Sequence, residues 1–202
     1  IFPHHQNEIA QSCCGNKGSG FAKYWMHNGF LMSEGEKMSK SLGNFYTVHE
    51  LLEEFPGEAL RLVILQTHYR PPLDFSKDKL REAKATLDRM YGALQRVADV
   101  DAVEAEVPGV MAALTDDLNT AKAMAELHEL VGVLSKAETA EEQALAKGRV
   151  LAAGALLGLL QQDPEVWAKG EADDDEAAGI EALITQRAVA KKAKDFALAD
   201  RI

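Results

Sequence analysis

Two short stretches near the start of the sequence combine residue types that could do chemistry. In the first, "PHHQNE" at positions 3–8, His4 and Glu8 are four residues apart, so on a helix they share one face and could reach one metal ion. His5 and Glu8, three apart, could do the same. An imidazole and a carboxylate are half the ligands of a tetrahedral zinc site, but polar surface residues near a helix start give the same pattern. The residues alone leave both interpretations open.

The only two cysteines, Cys13 and Cys14, follow this stretch. Neighbouring residues on a helix point about 100° apart, so we do not expect both to complete a zinc site. Adjacent cysteines cannot form an ordinary disulfide without distortion, which favours a reducing, cytoplasmic setting.

The second stretch, "GEKMSKSLGN" at positions 35–44, lies between two glycines. Lys37 and Lys40 offer ammonium groups, and Ser39 and Ser41 offer hydroxyl donors. Such a loop could close over a polyphosphate and neutralise charge that develops there. Its glycine spacing differs from that of a Walker loop. A solvated surface loop is the alternative that composition leaves open.

Hydrophobic periodicity predicts that most of the remaining chain is helical. Apolar residues recur at intervals of three and four in segments that begin near Ala59, Ser76 and Glu141, and after a cap at Asn119 or Thr120. Ser76 is also a predicted N-cap. Three long helices with short polar joints predict a mainly α protein with an antiparallel helical bundle.

Composition narrows the class of protein. The 202 residues are 47% hydrophobic and 27% charged, as in globular proteins, and no apolar run reaches the roughly 18 residues of a membrane span. A net charge of −10 argues against general coating of nucleic acid. Because the sequence starts with Ile and ends within an amphipathic pattern, we expect part of a longer chain whose function needs further residues.

The string "KMSKS" resembles the second signature of class I aminoacyl-tRNA synthetases. The stretches around it resemble, in the same order, the C-terminal half of bacterial cysteinyl-tRNA synthetases. These stretches are "FPHHQNEIAQS", "YWMHNGFLM", "GEKMSKSLGNFYTV", "EALRLVILQTHYRPPLDFS" and "AKKAKDFALADRI". The first class I signature, His-x-Gly-His, is absent from these 202 residues, so the resemblance implies that they are inactive alone.

The resemblance implies a zinc site with His4 and Glu8 as ligands, together with two cysteines upstream of this sequence. In this family zinc takes the substrate L-cysteine as a thiolate. A serine hydroxyl is a harder and far less acidic ligand, so metal softness rather than pocket size would give selectivity.

The resemblance also implies that the lysine- and serine-rich stretch contacts ATP, which enters with Mg²⁺. Lys37 and Lys40 would be the catalytic residues, with Lys40 the main contact that stabilises the departing pyrophosphate. His27 aligns with a histidine near the family's active site, whereas from the residues alone it fits a packed or surface position. The implied ATP contacts are Lys37, Met38, Ser39, Lys40 and Ser41.

We expect five regions along the chain. Residues 1–48 would form the closing edge of a Rossmann catalytic domain with the zinc half-site and the KMSKS loop, and residues 49–75 a connector near the tRNA stem. Residues 76–168 would form a tRNA-contacting helical bundle of the DALR type. Residues 169–178 would be an acidic linker, and 179–202 the first helix of an anticodon-recognition module.

The implied function is a cysteine–tRNA ligase, a cytoplasmic monomer that makes cysteinyl-adenylate from cysteine and ATP and transfers cysteine to tRNA(Cys). Two alternatives are a cysteine ligase of mycothiol synthesis, which joins cysteine to an amino sugar, and a non-catalytic RNA-binding helical module. In this family the bundle and the module after it contact tRNA, and four residues lie just before the bundle: Arg61, His68, Tyr69 and Arg70. Helix-surface charges and a capping connector are the alternative interpretation of these four residues. Since the whole chain is acidic, we also predict local basic patches. Their members would be Arg61, Arg70, Arg81, Lys84, Lys191, Lys192 and Lys194.

Overall fold

The computed structural model describes residues 2–16, 20–33, 35–39, 41, 43–170, 183–189 and 191–192. These residues are mainly helical, as predicted. The helices are α1 (His4–Gly15), α2 (Val48–Glu54), α3 (Gly57–Leu65), α4 (Lys77–Gln95), α5 (Pro108–Thr115), α6 (Thr120–Lys136), α7 (Ala140–Leu157) and α8 (Pro164–Lys169), and the strands are β1 (Leu31–Ser33), β2 (Glu36–Lys37) and β3 (Leu73–Phe75).

Side-chain caps fix where the long helices begin. The Ser76 hydroxyl accepts a hydrogen bond from the Lys79 amide and starts α4, and the Asn119 side chain does the same for α6. Both caps confirm the sequence prediction. Helix α7 begins one residue before the predicted Glu141, because Thr139 and the third residue of the helix form a capping box.

The periodicity did not predict three short helices, α2, α5 and α8. They have only 7, 8 and 6 residues, too few for the apolar repeat to stand out. Each nevertheless has a local start signal. Thr47 and Glu50 form a capping box before α2, and proline occupies the first turn of α5 and of α8.

The core lies among the bundle helices. Helix α4 packs against α3, α6 and α8, while α6 also packs against α5 and α7. Apolar residues at helical spacing on α4 and α6 point into this core and are almost fully buried. They include Leu80, Leu87, Met90, Leu94 and Leu127. In contrast, α1 buries none of its residues.

A small three-stranded sheet connects the first part of the chain to the bundle. Its order is β2-β1-β3, with β1 antiparallel to β2 and parallel to β3. Met32 pairs with Lys37, and Leu31 pairs with Leu73. The stretch "YWMHNGFLM" at 24–32, which its composition predicts to be extended, has only its last two residues in a strand.

Two expectations fall largely outside the described residues. The acidic linker lies there almost entirely, and of the predicted last helix only residues 183–189 and 191–192 are described, all helical. Among the described residues, no helix combines the length and apolar character that crossing a bilayer requires.

Candidate active site

The KMSKS loop (residues 37–41) leaves the sheet at the end of β2. Lys37 is the last residue of that strand and is exposed, whereas Met38 and Ser39 are half-buried and Met38 packs against the core. Ser41 is exposed, and Lys40 lies outside the described residues. Met38 therefore anchors the loop, while Lys37 and Ser41 face solvent.

The Asn44 side chain fixes the backbone of this loop. Its Oδ1 accepts a hydrogen bond from the Ser39 amide at 2.9 Å, and its Nδ2 donates to the Lys37 carbonyl at 3.4 Å. The Ser39 and Ser41 hydroxyls lie 3.2 Å apart. Sequence reasoning missed Asn44, although the Gly43-Asn44 pair is a turn signal and Gly43 has a φ of +68°.

Asp74 on β3 holds the turn between β1 and β2. Gly35, with a φ of +80°, donates its amide to Asp74 Oδ1 at 2.9 Å. Lys79 of α4 donates from Nζ to Asp74 Oδ2 at 3.1 Å and to the Asp74 carbonyl at 2.6 Å. The Gly35 amide, followed by Lys79, lowers the pKa of Asp74 below its ordinary value. Sequence reasoning missed this residue too.

The predicted zinc ligands, His4 and Glu8, lie one turn apart on α1, and both are exposed. Their donor types fit zinc. In the described part of the chain, no three His, Cys, Asp or Glu side chains come together as a metal-binding group. These residues therefore supply at most two of the four ligands of a tetrahedral site.

His27 lies beside α1, next to the predicted zinc ligands in space. Its ring stacks on His5 with centroids 5.2 Å apart, and the His5 ring centroid is 5.5 Å from that of His4. Trp25 stacks on His27 at 6.4 Å. The fold thus brings His27 close to the first chemistry-bearing stretch, although His5 and His27 are 22 positions apart in the sequence.

The connector residues His68, Tyr69 and Arg70 converge on one carboxylate, Asp117, in the α5–α6 loop. Arg70 donates two hydrogen bonds to it at 2.8 and 2.9 Å, and the Tyr69 hydroxyl donates at 2.8 Å. His68 Nε2 lies 3.0 Å from the Asp117 carbonyl oxygen. Arg70, then Tyr69, lowers the pKa of Asp117 to about 2.

The prediction of basic patches is not supported on α4 or at the connector. Arg70 pairs with Asp117, Arg81 pairs with Asp78, and Lys84 pairs with Asp88, so a carboxylate neutralises each cation. Arg61 instead donates to the Leu157 carbonyl at 2.5 Å. Lys191 and Lys192 lie in the described helical residues near the end of the chain, and Lys194 lies outside the described residues.

Comparison with known proteins tests the resemblance directly. The family model described as "tRNA synthetases class I (C) catalytic domain" matches residues 1–85, and the "DALR domain" model matches residues 109–161. A cysteine–tRNA ligase of Rhodospirillum rubrum is 62% identical over 206 aligned positions, which include all of this chain and 45% of the relative. The chain belongs to the cysteinyl-tRNA synthetase family.

Other members of the family show the same coverage. A cysteine–tRNA ligase of Paramagnetospirillum magneticum is 60% identical over the whole of this chain and 45% of its own length. One from Xanthomonas campestris is 52% identical over the whole of this chain and 44% of its own length. The chain therefore spans somewhat less than half the length of the curated relatives that it matches.

Proposed function

We propose that this chain is part of a cysteine–tRNA ligase that activates cysteine with ATP and transfers it to the 3′ end of tRNA(Cys). One observation carries the proposal: similarity to cysteine–tRNA ligases runs over the whole chain, through both the KMSKS loop and the bundle. We further propose that the protein acts in the cytoplasm as a monomer.

In this proposal the KMSKS loop serves the ATP half of the reaction. Lys37 and Lys40 place positive charge where pyrophosphate leaves, and Ser39 and Ser41 supply hydroxyl donors, with Met38 as the packed anchor between them. The half-buried backbone of Ser39, fixed by Asn44, supports this role because donors that are already oriented need no reorganisation during reaction.

The metal half of the site would use His4 and Glu8 as two zinc ligands, with cysteine thiolates from outside these 202 residues as the others. When bound, zinc would hold the substrate sulfur as a thiolate and so discriminate cysteine from serine. The α1 helix orients both ligands on one exposed face, and we assign His27 to the substrate pocket beside them because it stacks on His5.

We propose that the bundle and the connector contact tRNA. The Asp117 network supports this assignment because it fixes the half-buried His68 and Tyr69 rings and the exposed Arg70 guanidinium as one unit. Since Asp117 neutralises Arg70, recognition there would rest on stacking and directed hydrogen bonds more than on net positive charge.

The deciding experiment is cysteine-dependent exchange of pyrophosphate into ATP by the full-length protein. We expect exchange in the wild type and a loss of about 100-fold in kcat for Lys40→Ala, because one charge-stabilising donor is removed. We expect no change for Lys136→Ala at the last residue of α6. Normal exchange by Lys40→Ala would contradict the assigned role of the loop.

Acceptor and metal assays separate the alternatives. Transfer of cysteine to an amino sugar rather than to tRNA would identify the mycothiol-type ligase, and an absence of exchange would favour a non-catalytic RNA-binding module. Elemental analysis of the full-length protein should find zinc in the wild type and much less in His4→Ala. A full-length protein purified without zinc would contradict the His4 and Glu8 assignment.

A further inference from the structure

The KMSKS loop is held from outside by a residue that has no role in the proposed chemistry. The turn before it places the Gly35 amide 2.9 Å from Asp74 Oδ1, and the other carboxylate oxygen, Oδ2, lies 3.1 Å from Lys79 Nζ. Gly35 and Asp74 are 39 positions apart in sequence, so only the fold brings them together. Two elements, β3 and α4, thereby meet at the turn of the β1–β2 hairpin.

This arrangement lies two residues before Lys37 in the chain. Strand β2 is only two residues long, Glu36 and Lys37, and pairs with β1 alone. So short a strand has little sheet pairing to fix it. The Asp74 contact at Gly35 therefore holds the backbone before Lys37, and the Asn44 side chain holds the Lys37 carbonyl on its other side.

Lys79 in turn orients Asp74. Its ammonium contacts both the carboxylate and the carbonyl of Asp74, and its amide lies at the capped start of α4, where Ser76 fixes the backbone. The hairpin turn is thus tied, through one carboxylate, to the first turn of the longest helix in the bundle, the 19-residue α4.

We propose that Asp74 is a positioning residue of the KMSKS loop, which it holds in the ATP-binding orientation by accepting the Gly35 amide while Lys79 anchors it to α4. The inference rests on the proposed cysteine activation. Its consequence is specific: disturbing Asp74 impairs the use of ATP and leaves the use of cysteine unaffected, because the predicted metal ligands lie on α1.

The test is steady-state pyrophosphate exchange by the full-length protein with variants of Asp74. Asp74→Ala removes the acceptor and should raise the KM for ATP about tenfold, the effect of losing one hydrogen bond to a charged group, with the KM for cysteine unchanged. Asp74→Asn keeps an oxygen acceptor for Gly35 and should restore most of the ATP affinity. Asp78→Ala is the matched control. It removes an exposed carboxylate that pairs with Arg81 on α4, and its KM values for ATP and cysteine should equal those of the wild type.

An unchanged KM for ATP in Asp74→Ala, an equal rise in both KM values, or an Asn variant as impaired as the Ala variant would each overturn the proposal. If Asp74→Ala does not fold, Lys79→Met replaces it, and we expect the KM for ATP to rise about threefold from loss of the ion pair alone. No change there also overturns the proposal. Failure of the wild type to exchange would instead contradict the proposed function.

Discussion

At the scale of single residues, Asp117 shows how one carboxylate can organise a surface. Asp117 and the next residue, Leu118, have φ values of +54° and +52°, a backbone conformation that residues other than glycine rarely adopt. That turn aims the carboxylate at Tyr69 and Arg70, and the Arg70 guanidinium lies over the Tyr69 ring at 5.1 Å. The gain from these contacts offsets the cost of the backbone conformation.

The lowered pKa of Asp117 gives a prediction about pH. The folded value is about 2, below the roughly 3.9 of an unfolded aspartate, so the carboxylate stabilises the fold fully above pH 4 and loses this effect as pH falls toward 2. Asp117→Asn tolerates the backbone conformation and removes the charge. Its urea midpoint should lie below that of the wild type at pH 7, and the two should converge near pH 2.

The neighbouring exposed residue Asp116 provides the control. Asp116→Asn changes the net charge by the same amount but leaves the contacts of Asp117 with Tyr69 and Arg70 in place. Its urea midpoint should therefore follow that of the wild type at every pH. A constant gap between Asp117→Asn and wild type down to pH 2 would show that the carboxylate does not titrate as the geometry implies.

At the scale of elements, the end of α7 shows how a glycine cap ends a helix and how the helix end then binds a side chain from α3. Gly158 follows Leu157 with a φ of +65°, the left-handed cap that glycine adopts most readily. The Arg61 side chain from α3 crosses this cap and donates to the Leu157 carbonyl, one of the unpaired acceptors at the helix end. A helix terminus and a cation thereby join two parts of the chain that are 96 positions apart.

We predict opposite effects for two glycine-to-alanine substitutions. Gly158→Ala forces a left-handed alanine whose Cβ would lie 2.7 Å from Arg61 Nε, and it should lower the free energy of unfolding by about 1–2 kcal/mol. Gly132→Ala, inside α6 with open space around it, should be neutral or stabilising by up to about 1 kcal/mol. Urea denaturation measures both.

Equal effects of the two substitutions would refute the assignment of Gly158 as a cap that only glycine fits. A further check is Arg61→Met, which removes the guanidinium that the new Cβ would meet. In that background, Gly158→Ala should cost less than in the wild type, because only the backbone strain remains.

At the scale of the whole molecule, one carboxylate joins the two regions that the family models match. Glu58 on α3 accepts hydrogen bonds from the Tyr91 hydroxyl and from the Leu160 and Gln161 amides, all at 2.9–3.1 Å. Tyr91 also stacks on Trp167 with ring centroids 4.4 Å apart. Burial, with the charge of Glu58, raises the pKa of Tyr91 well above its ordinary value, so the hydroxyl stays a donor.

Replacement of this carboxylate should weaken the whole fold. Glu58→Gln turns one acceptor oxygen into an amide NH₂ that faces a backbone N–H, so we expect the free energy of unfolding to fall by about 1–3 kcal/mol. Trp167 fluorescence in a urea titration reports the change, since its ring stacks on Tyr91. The exposed Glu82→Gln on α4 is the control, and equal stability of the two variants would contradict the assigned role.

Much of the fold could be predicted from the sequence, and the reasons are local. Ser76 and Asn119 cap the helices that their types and positions indicated, because a cap needs only its own next three residues. The long helices follow from apolar residues at every third and fourth position, which must face a common core. The short helices α2, α5 and α8 were not predicted, because each contains too few residues for the apolar repeat to be recognised.

The candidate site likewise has features that the sequence predicts and features that depend on long-range packing. The sequence by itself determined which groups could act, since the residue types and spacing of His4, Glu8 and the KMSKS loop are written consecutively, and it determined the family that whole-chain identity confirms. Only the tertiary structure decided what supports these groups and what neutralises others: Asp74 on the Gly35 turn, Asp117 on Arg70, and Glu58 between α3 and the end of α7. Each of these contacts spans 39 or more positions, and a hydrogen bond over that distance depends on how the helices pack rather than on any nearby residue.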